Sequence, residues 1–257
     1  MDWWERIFGD ENVYSLLEGG PSEELAQRQA DFVAEVIGLK EGTRILDVGC
    51  GRGWLSVGLA RKGAHVTGID SSKLMAKKCR QLASDKPGFS FQQMDFRTIS
   101  YVGEYDVVVC WGNTLGYLTR GDDIEVLKRL VRALVPGGVI LLDLHNSSFY
   151  TAKALGKSWR ETQSEYLLSE TTFDQCDRRL ISREIVIPKG GGSPEEYVYR
   201  MLHYEPKEIQ EILQSMGLAD IVFYGDASAS KTGPLFSHEG FNERSHIMIV
   251  RGVKKDT

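Results

Sequence analysis

The sequence predicts a doubly wound α/β sheet, and three observations predict it. The apolar run Ile45-Leu46-Asp47-Val48 leads into Gly49, Gly51 and Gly53, three glycines at every second position. Strand-like segments at His65–Asp70, Phe89–Phe96, Tyr105–Cys110 and Val139–Leu144 then alternate with helix-spaced stretches. Among them Tyr105–Cys110 is nearly continuous in apolar character, as a strand buried on both faces requires. Strands that alternate with helices assemble as a mostly parallel sheet with helices on both faces.

The glycine turn carries the first functional information. Glycines admit backbone angles closed to other residues and let the backbone approach a ligand closely. A dinucleotide-binding turn reads G-x-G-x-x-G. Counted from Gly49, the third glycine of that pattern falls on Trp54, which argues against a nicotinamide cofactor. Asp47 beside the turn would repel a pyrophosphate, yet it can accept hydrogen bonds from an ammonium group. Asp70 ends the second strand, where an acidic side chain is placed to accept hydrogen bonds from a ribose diol. The combination points to a nucleoside-like cofactor that carries an amino acid.

The pattern Asp47-x-Gly49-x-Gly51-x-Gly53 resembles the first motif of the class I S-adenosylmethionine-dependent methyltransferases. With the later strand ends in order, the resemblance covers about residues 40–150 and continues more loosely to the C-terminus. It implies a Rossmann-like seven-stranded doubly wound sheet whose last strand is antiparallel, carrying an inserted antiparallel β cap. It implies S-adenosylmethionine as cofactor and S-adenosylhomocysteine as product. The cofactor-binding residues it implies are Asp47, Gly49, Cys50, Gly51, Asp70, Ser71, Met75, Asp95, Phe96, Cys110 and Trp111. Asp95 and the backbone N–H of Phe96 take the adenine edge in this scheme. Trp111 either stacks on the adenine or the acceptor, or forms part of the wall.

Three regions follow along the chain. Residues 1–40 read as an N-terminal helical lid, with the aromatic segment Trp3–Phe8 and a helix opened by Pro21-Ser22. That helix places Leu25, Phe32, Val33, Val36 and Ile37 on one stripe. Residues 41–150 and 205–254 read as the methyltransferase core. Here Leu127, Leu130, Val131 and Leu134 mark a helix over 121–134, Pro136-Gly137-Gly138 ends it, and Val139–Leu144 is the fifth strand. Residues 159–204 read as an inserted antiparallel substrate cap, with strands around 165–168, 180–187 and 196–200. The core resumes with a helix from Pro206 to Met216, a sixth strand at Ile221–Tyr224 and a seventh at His246–Val250. A mobile loop is expected over 225–241, rich in Gly, Ser and Ala.

Composition narrows the partners. A net charge of −5 offers no footprint for a nucleic-acid backbone. Apolar runs are strand-sized, the N-terminus lacks the features of a signal peptide, and a cytoplasmic enzyme is expected. The four cysteines, Cys50, Cys79, Cys110 and Cys176, are scattered without metal-ligand pairing, so no metal is expected. A small-molecule acceptor is expected, with no membrane partner, and a homodimer stays open. The segment after the fourth strand, Asn113-Thr114-Leu115-Gly116-Tyr117, together with the insert, resembles small-molecule N-methyltransferases of the aminosugar and glycine types.

The chemistry implied is in-line displacement at a sulfonium methyl, in which positioning and water exclusion supply most of the acceleration. The acceptor is a nitrogen or oxygen of a small metabolite. Three residues are candidates for the catalytic side. His145 follows the fifth strand, as a base, an orienting group, or a histidine bonded to nearby backbone. Tyr117 can bond the acceptor or contact the methyl, or simply pack. Tyr14 can fold over the sulfonium from the lid, or pack. His203 and Tyr204 at the insert's exit, and Arg28, read more readily as structural or solvated. Lys73, Lys77, Lys78 and Arg80 read as a solvated helix face. Two other classes remain: a methyltransferase acting on tRNA or protein, and a non-catalytic S-adenosylmethionine-binding module.

Overall fold

In the computed structural model the described residues are 2–17, 21–84, 86–152, 155–226, 236–237, 241–242 and 245–256. The chain opens with α1 (Trp3–Phe8), α2 (Glu11–Leu17) and α3 (Glu23–Val36). It continues with β1 (Arg44–Val48), α4 (Trp54–Ala60), β2 (His65–Asp70), α5 (Lys73–Ser84), β3 (Phe89–Gln93) and β4 (Tyr105–Cys110). Next come α6 (Arg120–Ala133), β5 (Leu134–His145) and α7 (Ser147–Ala152). An antiparallel set follows: β6 (Lys157–Glu161), β7 (Glu165–Asp174), β8 (Arg179–Pro188) and β9 (Glu195–Leu202). The chain closes with α8 (Pro206–Ser215), β10 (Leu218–Asp226), β11 (Phe236–Ser237) and β12 (Ile247–Lys254).

The main sheet has the order β11-β10-β12-β5-β4-β1-β2-β3. Strands β1 to β5 pair in parallel, and β12 lies antiparallel between β5 and β10. The seven expected strands are therefore present with the last antiparallel, and the two-residue β11 adds an edge. Strand order reverses between β1 and β4, which opens a crevice at their carboxyl ends. Two apolar layers flank the sheet. One holds Leu46, Val48, Val108, Leu127 and Leu130, and the other holds Val33, Ile45, Leu59, Val109 and Leu141. Alternating residues of β1 and β4 thus feed opposite layers, which explains why those strands read as nearly continuous apolar runs.

Local signals set the helix starts. The Ser22 hydroxyl accepts the Leu25 N–H at 3.2 Å to open α3, and Thr119 caps α6 through the Asp122 N–H. Asp123 in the first turn of α6 is buried and accepts the Tyr204 hydroxyl at 2.9 Å, a role its sequence position near the helix start does not reveal.

Two elements differ from the sequence reading. Strand β5 begins at Leu134 rather than Val139, because Leu134 already pairs with Tyr105 and the Pro136-Gly137-Gly138 segment shifts the register before Val139 meets Val107. The insert has four strands rather than three. β6 is exposed along its whole length, so Lys157–Glu161 shows no apolar alternation from which a strand could be read. The inner face of this second sheet packs Tyr197 and Tyr199 against Ile7 of α1. Its last strand is joined to the core by the Leu202 N–H, which donates to the Gly116 carbonyl at 2.7 Å, and by a bridge between Asn146 and Tyr204. Most of the loop expected over 225–241 lies outside the described residues.

Candidate cofactor and acceptor site

A cavity of about 1140 Å³ opens at the carboxyl ends of β1, β2 and β4. Its floor is the turn after β1. Gly49 and Gly51 both hold left-handed backbone, with φ of 68° and 55°. The Gly49 and Cys50 N–H groups donate to the Ile69 carbonyl at 2.9 and 3.0 Å. A Cβ on Gly49 would also lie 2.5 Å from the Thr114 side chain, so sterics and backbone angle both require glycine there. The Asp70 carboxylate closes the turn by accepting the Gly51 N–H at 3.0 Å and the Ser72 N–H at 2.8 Å. Burial raises its pKa, while those two donors oppose the shift.

Asp47 sits deeper. Its carboxylate accepts the Ser56 hydroxyl at 2.6 Å. Burial pushes its pKa up to about 6, the Ser56 hydroxyl resists, and the nearby Asp70 charge adds to the rise. A buried carboxylate beside a second one, with no cation bonded to it among the described residues, suits an incoming ammonium group. Asp95 differs: burial raises its pKa, but the Arg97 guanidinium, bonded at 2.6 to 3.0 Å, leaves it lowered overall. That carboxylate has lone pairs left for a further donor.

The roof comes from the N-terminal helices and the loop after β4. Phe8 stacks on Tyr117 with ring centroids 6.0 Å apart, and Trp4 stacks on Tyr117 at the same separation. Glu11 of α2 accepts from Arg52 at 2.8 Å and from Lys78 at 2.6 Å. The Arg52 guanidinium lies 4.6 Å from the Tyr14 ring centroid. The Ser72 hydroxyl donates to the Phe8 carbonyl at 2.5 Å while accepting the Met75 N–H that starts α5. Lys78, read as solvated from sequence, thus helps anchor α2.

Asp47, Gly49, Cys50, Gly51, Asp70, Ser71, Met75, Asp95, Phe96, Trp111, Tyr117 and Tyr14 all line the cavity. Cys110 does not line it. The Cys110 side chain points into the apolar layer with Leu46, Val48 and Leu142, where burial drives its thiol pKa far up. His145 does not line it either. It is packed among Tyr150, His203 and His246, with ring centroids 5.6, 4.9 and 5.3 Å away. Burial and the two neighbouring histidines hold it neutral. From α3, Leu25 and Gln29 reach the cavity and Arg28 does not.

Further lining residues include three that are not among the sequence-predicted site residues, although the first lies in the Asn113–Tyr117 segment already noted. Asn113 has a left-handed φ of 57°, and its buried side-chain oxygen has no partner among the described residues. Its loop is fixed by the Gly112 N–H, which donates to Asp143 at 2.9 Å. Glu195 and Tyr197 arrive from β9, with the Tyr197 hydroxyl donating to Glu195 at 2.5 Å. The Gly112-Asn113 pair, in which both residue types tolerate left-handed backbone, is a usable sequence signal for the first; no local signal marks the other two. Among the described residues, no three His, Cys, Asp or Glu side chains converge as a metal site, and no helix is long and apolar enough to cross a membrane.

Residues 45–138 match the family described as a methyltransferase domain. The chain is 42% identical over 129 residues to the putative methyltransferase YqeM of Bacillus subtilis strain 168, covering 49% of this chain and 52% of that protein. It is 33% identical over 153 residues to the ubiquinone biosynthesis O-methyltransferase of Alkalilimnicola ehrlichii, covering 58% of each. The chain therefore spans a little over half the length of these curated relatives. Among solved structures, the CcbJ methyltransferase from Streptomyces caelestis superposes with a TM-score of 0.74 at 22% identity, covering 97% of this chain and 98% of that one. The sugar N-methyltransferase KedS8 from Streptoalloteichus superposes with a TM-score of 0.68 at 15% identity, covering 96% of this chain and 93% of that one. At these identities the likeness is one of fold, and it includes the inserted sheet. Strand order, glycine turn and domain match agree: residues 45–138 match a methyltransferase domain, and the chain as a whole has the fold of solved methyltransferases.

Proposed function

We propose that the chain methylates the nitrogen of a small-molecule amine, with Asp47, Asp70 and Asp95 holding the cofactor and the lid aromatics holding the acceptor. The observation that carries this reading is the cavity itself. Its volume of about 1140 Å³ exceeds the range of about 300 to 1,000 Å³ typical of a site for one drug-sized molecule. One wall presents the glycine turn and its carboxylates. The other presents Trp4, Phe8, Tyr14 and Tyr117 with Glu5, Asp10 and Glu195. Aromatic faces and carboxylates attract a cationic amine as it enters. Asn113 then stands ready to accept a hydrogen bond from the acceptor N–H. Bound, the cofactor supplies an electrophilic methyl on its sulfonium. This chain's residues orient the nucleophile and exclude water, and an amine needs no general base once it is neutral. The location of His145 outside the cavity fits that economy.

Hydroxyl methylation is the second reading, favoured by the likeness to an O-methyltransferase of ubiquinone biosynthesis. Calorimetric titration with S-adenosylhomocysteine, with NADH as control, tests the cofactor. Release of S-adenosylhomocysteine is then followed with panels of amines and phenols. Turnover of amines alone supports the proposal, turnover of phenols alone replaces nitrogen by oxygen, and binding of NADH alone overturns both readings.

A further inference from the structure

The inserted sheet has order β6-β7-β8-β9, and its two edges differ. β9 lies beside α1, whose Ile7 packs on Tyr197 and Tyr199. Among the described residues no strand pairs with the outer edge of β6, and all five of its residues are exposed. The two faces differ as well. Leu167, Tyr197 and Tyr199 are buried on the inner face. On the outer face the register places Trp159 opposite Leu168 and Leu168 opposite Ile185, with Tyr166 beside them opposite Glu161 and Ile187. Trp159 is 69% exposed, Leu168 41% and Tyr166 38%. Among the described residues the other large exposed apolar side chains, Trp54, Val102 and Val222, lie elsewhere in the fold. An unpaired edge beside an exposed apolar row is the arrangement that sheets ordinarily avoid or cover.

The β6 sequence is complementary to itself. Laid antiparallel to a second copy and centred on Trp159, Lys157 faces Glu161 of the other strand, Ser158 faces Arg160, and Trp159 faces Trp159. A slip by one step loses both charge matches. Lys157 already carries Glu170 at 3.4 Å and Glu161 already carries Lys189 at 2.5 Å, so the pairing extends an alternating charge network and brings no like charges together. We propose that β6 pairs with β6 of a second copy of this chain about a two-fold axis at Trp159, forming a homodimer with one continuous eight-stranded cap sheet. The two indoles meet on the outer face, flanked on each side by Leu168 and Ile185. Isologous pairing of this kind closes on itself and leaves no β6 edge for further growth.

Sedimentation velocity and light scattering over a wide concentration range test the assembly. Wild type is expected to be a dimer, and Trp159→Glu is expected to weaken it by at least about 30-fold, the scale for losing a central aromatic anchor. Retained S-adenosylhomocysteine binding shows that the variant folds. A second variant reads the register directly. Trp159→Cys in a Cys176→Ser background, which removes the one exposed native cysteine among those described, should cross-link under mild oxidation by oxidised glutathione, since directly opposite Cβ atoms lie about 4.5–5.5 Å apart. Ser158→Cys in the same background faces Arg160 and should not cross-link. A monomer at all concentrations, a dimer indifferent to Trp159→Glu, or cross-linking at 158 in place of 159 each overturns the proposal.

Discussion

The Asp70 carboxylate does two things at once. It fixes the glycine turn through the Gly51 and Ser72 N–H groups and has lone pairs left over, which the proposed function assigns to a ribose diol. Asp70→Ala should weaken S-adenosylhomocysteine binding by about 2 kcal/mol, the scale for losing hydrogen bonds to a charged acceptor. An unchanged calorimetric affinity would remove Asp70 from the ribose. Asp47 adds a pH dependence whose sign follows from its raised pKa of about 6. Above that pH the empty site presents a carboxylate to the ammonium of the cofactor; below it a proton must first leave. Affinity should therefore fall by up to about tenfold per pH unit below 6, and the Asp47→Asn variant should lose this slope along with part of its affinity. Parallel slopes in the two proteins would place the titrating group elsewhere.

At the scale of elements, the Glu11 carboxylate is one of the ties that hold α2 over the cavity, beside the Arg52–Tyr14 contact and the Arg160 bond to the Leu16 carbonyl. Glu11 meets Arg52 of the glycine turn and Lys78 of α5, and these pairs are partly exposed. Exposed pairs are individually weak and screened by salt. Glu11→Gln should thus speed S-adenosylhomocysteine dissociation a few-fold, and added salt should speed it in wild type but little in the variant. Stopped-flow displacement reads both; equal salt dependence would mean that α2 does not gate release. The same element shows where sequence legibility ends. The turn from Asp47 to Gly53 was readable because its requirements are local, with glycine where φ is positive and an acid at the next strand end. The partners of Glu11 lie 41 and 67 residues away, and neither pairing leaves a trace beside Glu11. Glu195 and Tyr197 reached the cavity for the same nonlocal reason. His145 was misplaced by a related gap: its position after β5 is at the correct end of the sheet, but only the packing of Tyr150, His203 and His246 reveals which way its ring is buried.

Across the whole molecule that histidine cluster joins the core to the cap, since His145 ends β5, His203 follows β9 and His246 precedes β12. Tyr150 of α7 bonds His246, and its ring centroid lies 4.7 Å from that of His203. Both ring nitrogens of His203 are buried without a partner among the described residues. Burial, with His246 adding, lowers its pKa from 6.5 to about 3. The folded protein therefore binds fewer protons here than the unfolded chain, and this contribution to stability is lost as pH falls from 6.5 towards 3. Asp47 and Asp123 act with the opposite sign. Each is raised from 3.8 to about 6, chiefly by burial, so each favours the folded state progressively as pH falls through that interval. At pH 5 the His203 loss is about 2 kcal/mol and the two carboxylates together return about 3 kcal/mol, so the carboxylates offset the loss for this group of three. His203→Phe removes the loss and replaces two unpaired buried nitrogens by an apolar, somewhat larger ring. The variant should gain in Tm over wild type as pH falls from 7.5 to 5, whereas curves that stay parallel would show that His203 is not held neutral. Saturating S-adenosylhomocysteine should then steepen the acid loss in both proteins, because an ammonium at Asp47 withdraws one of the two compensating carboxylates.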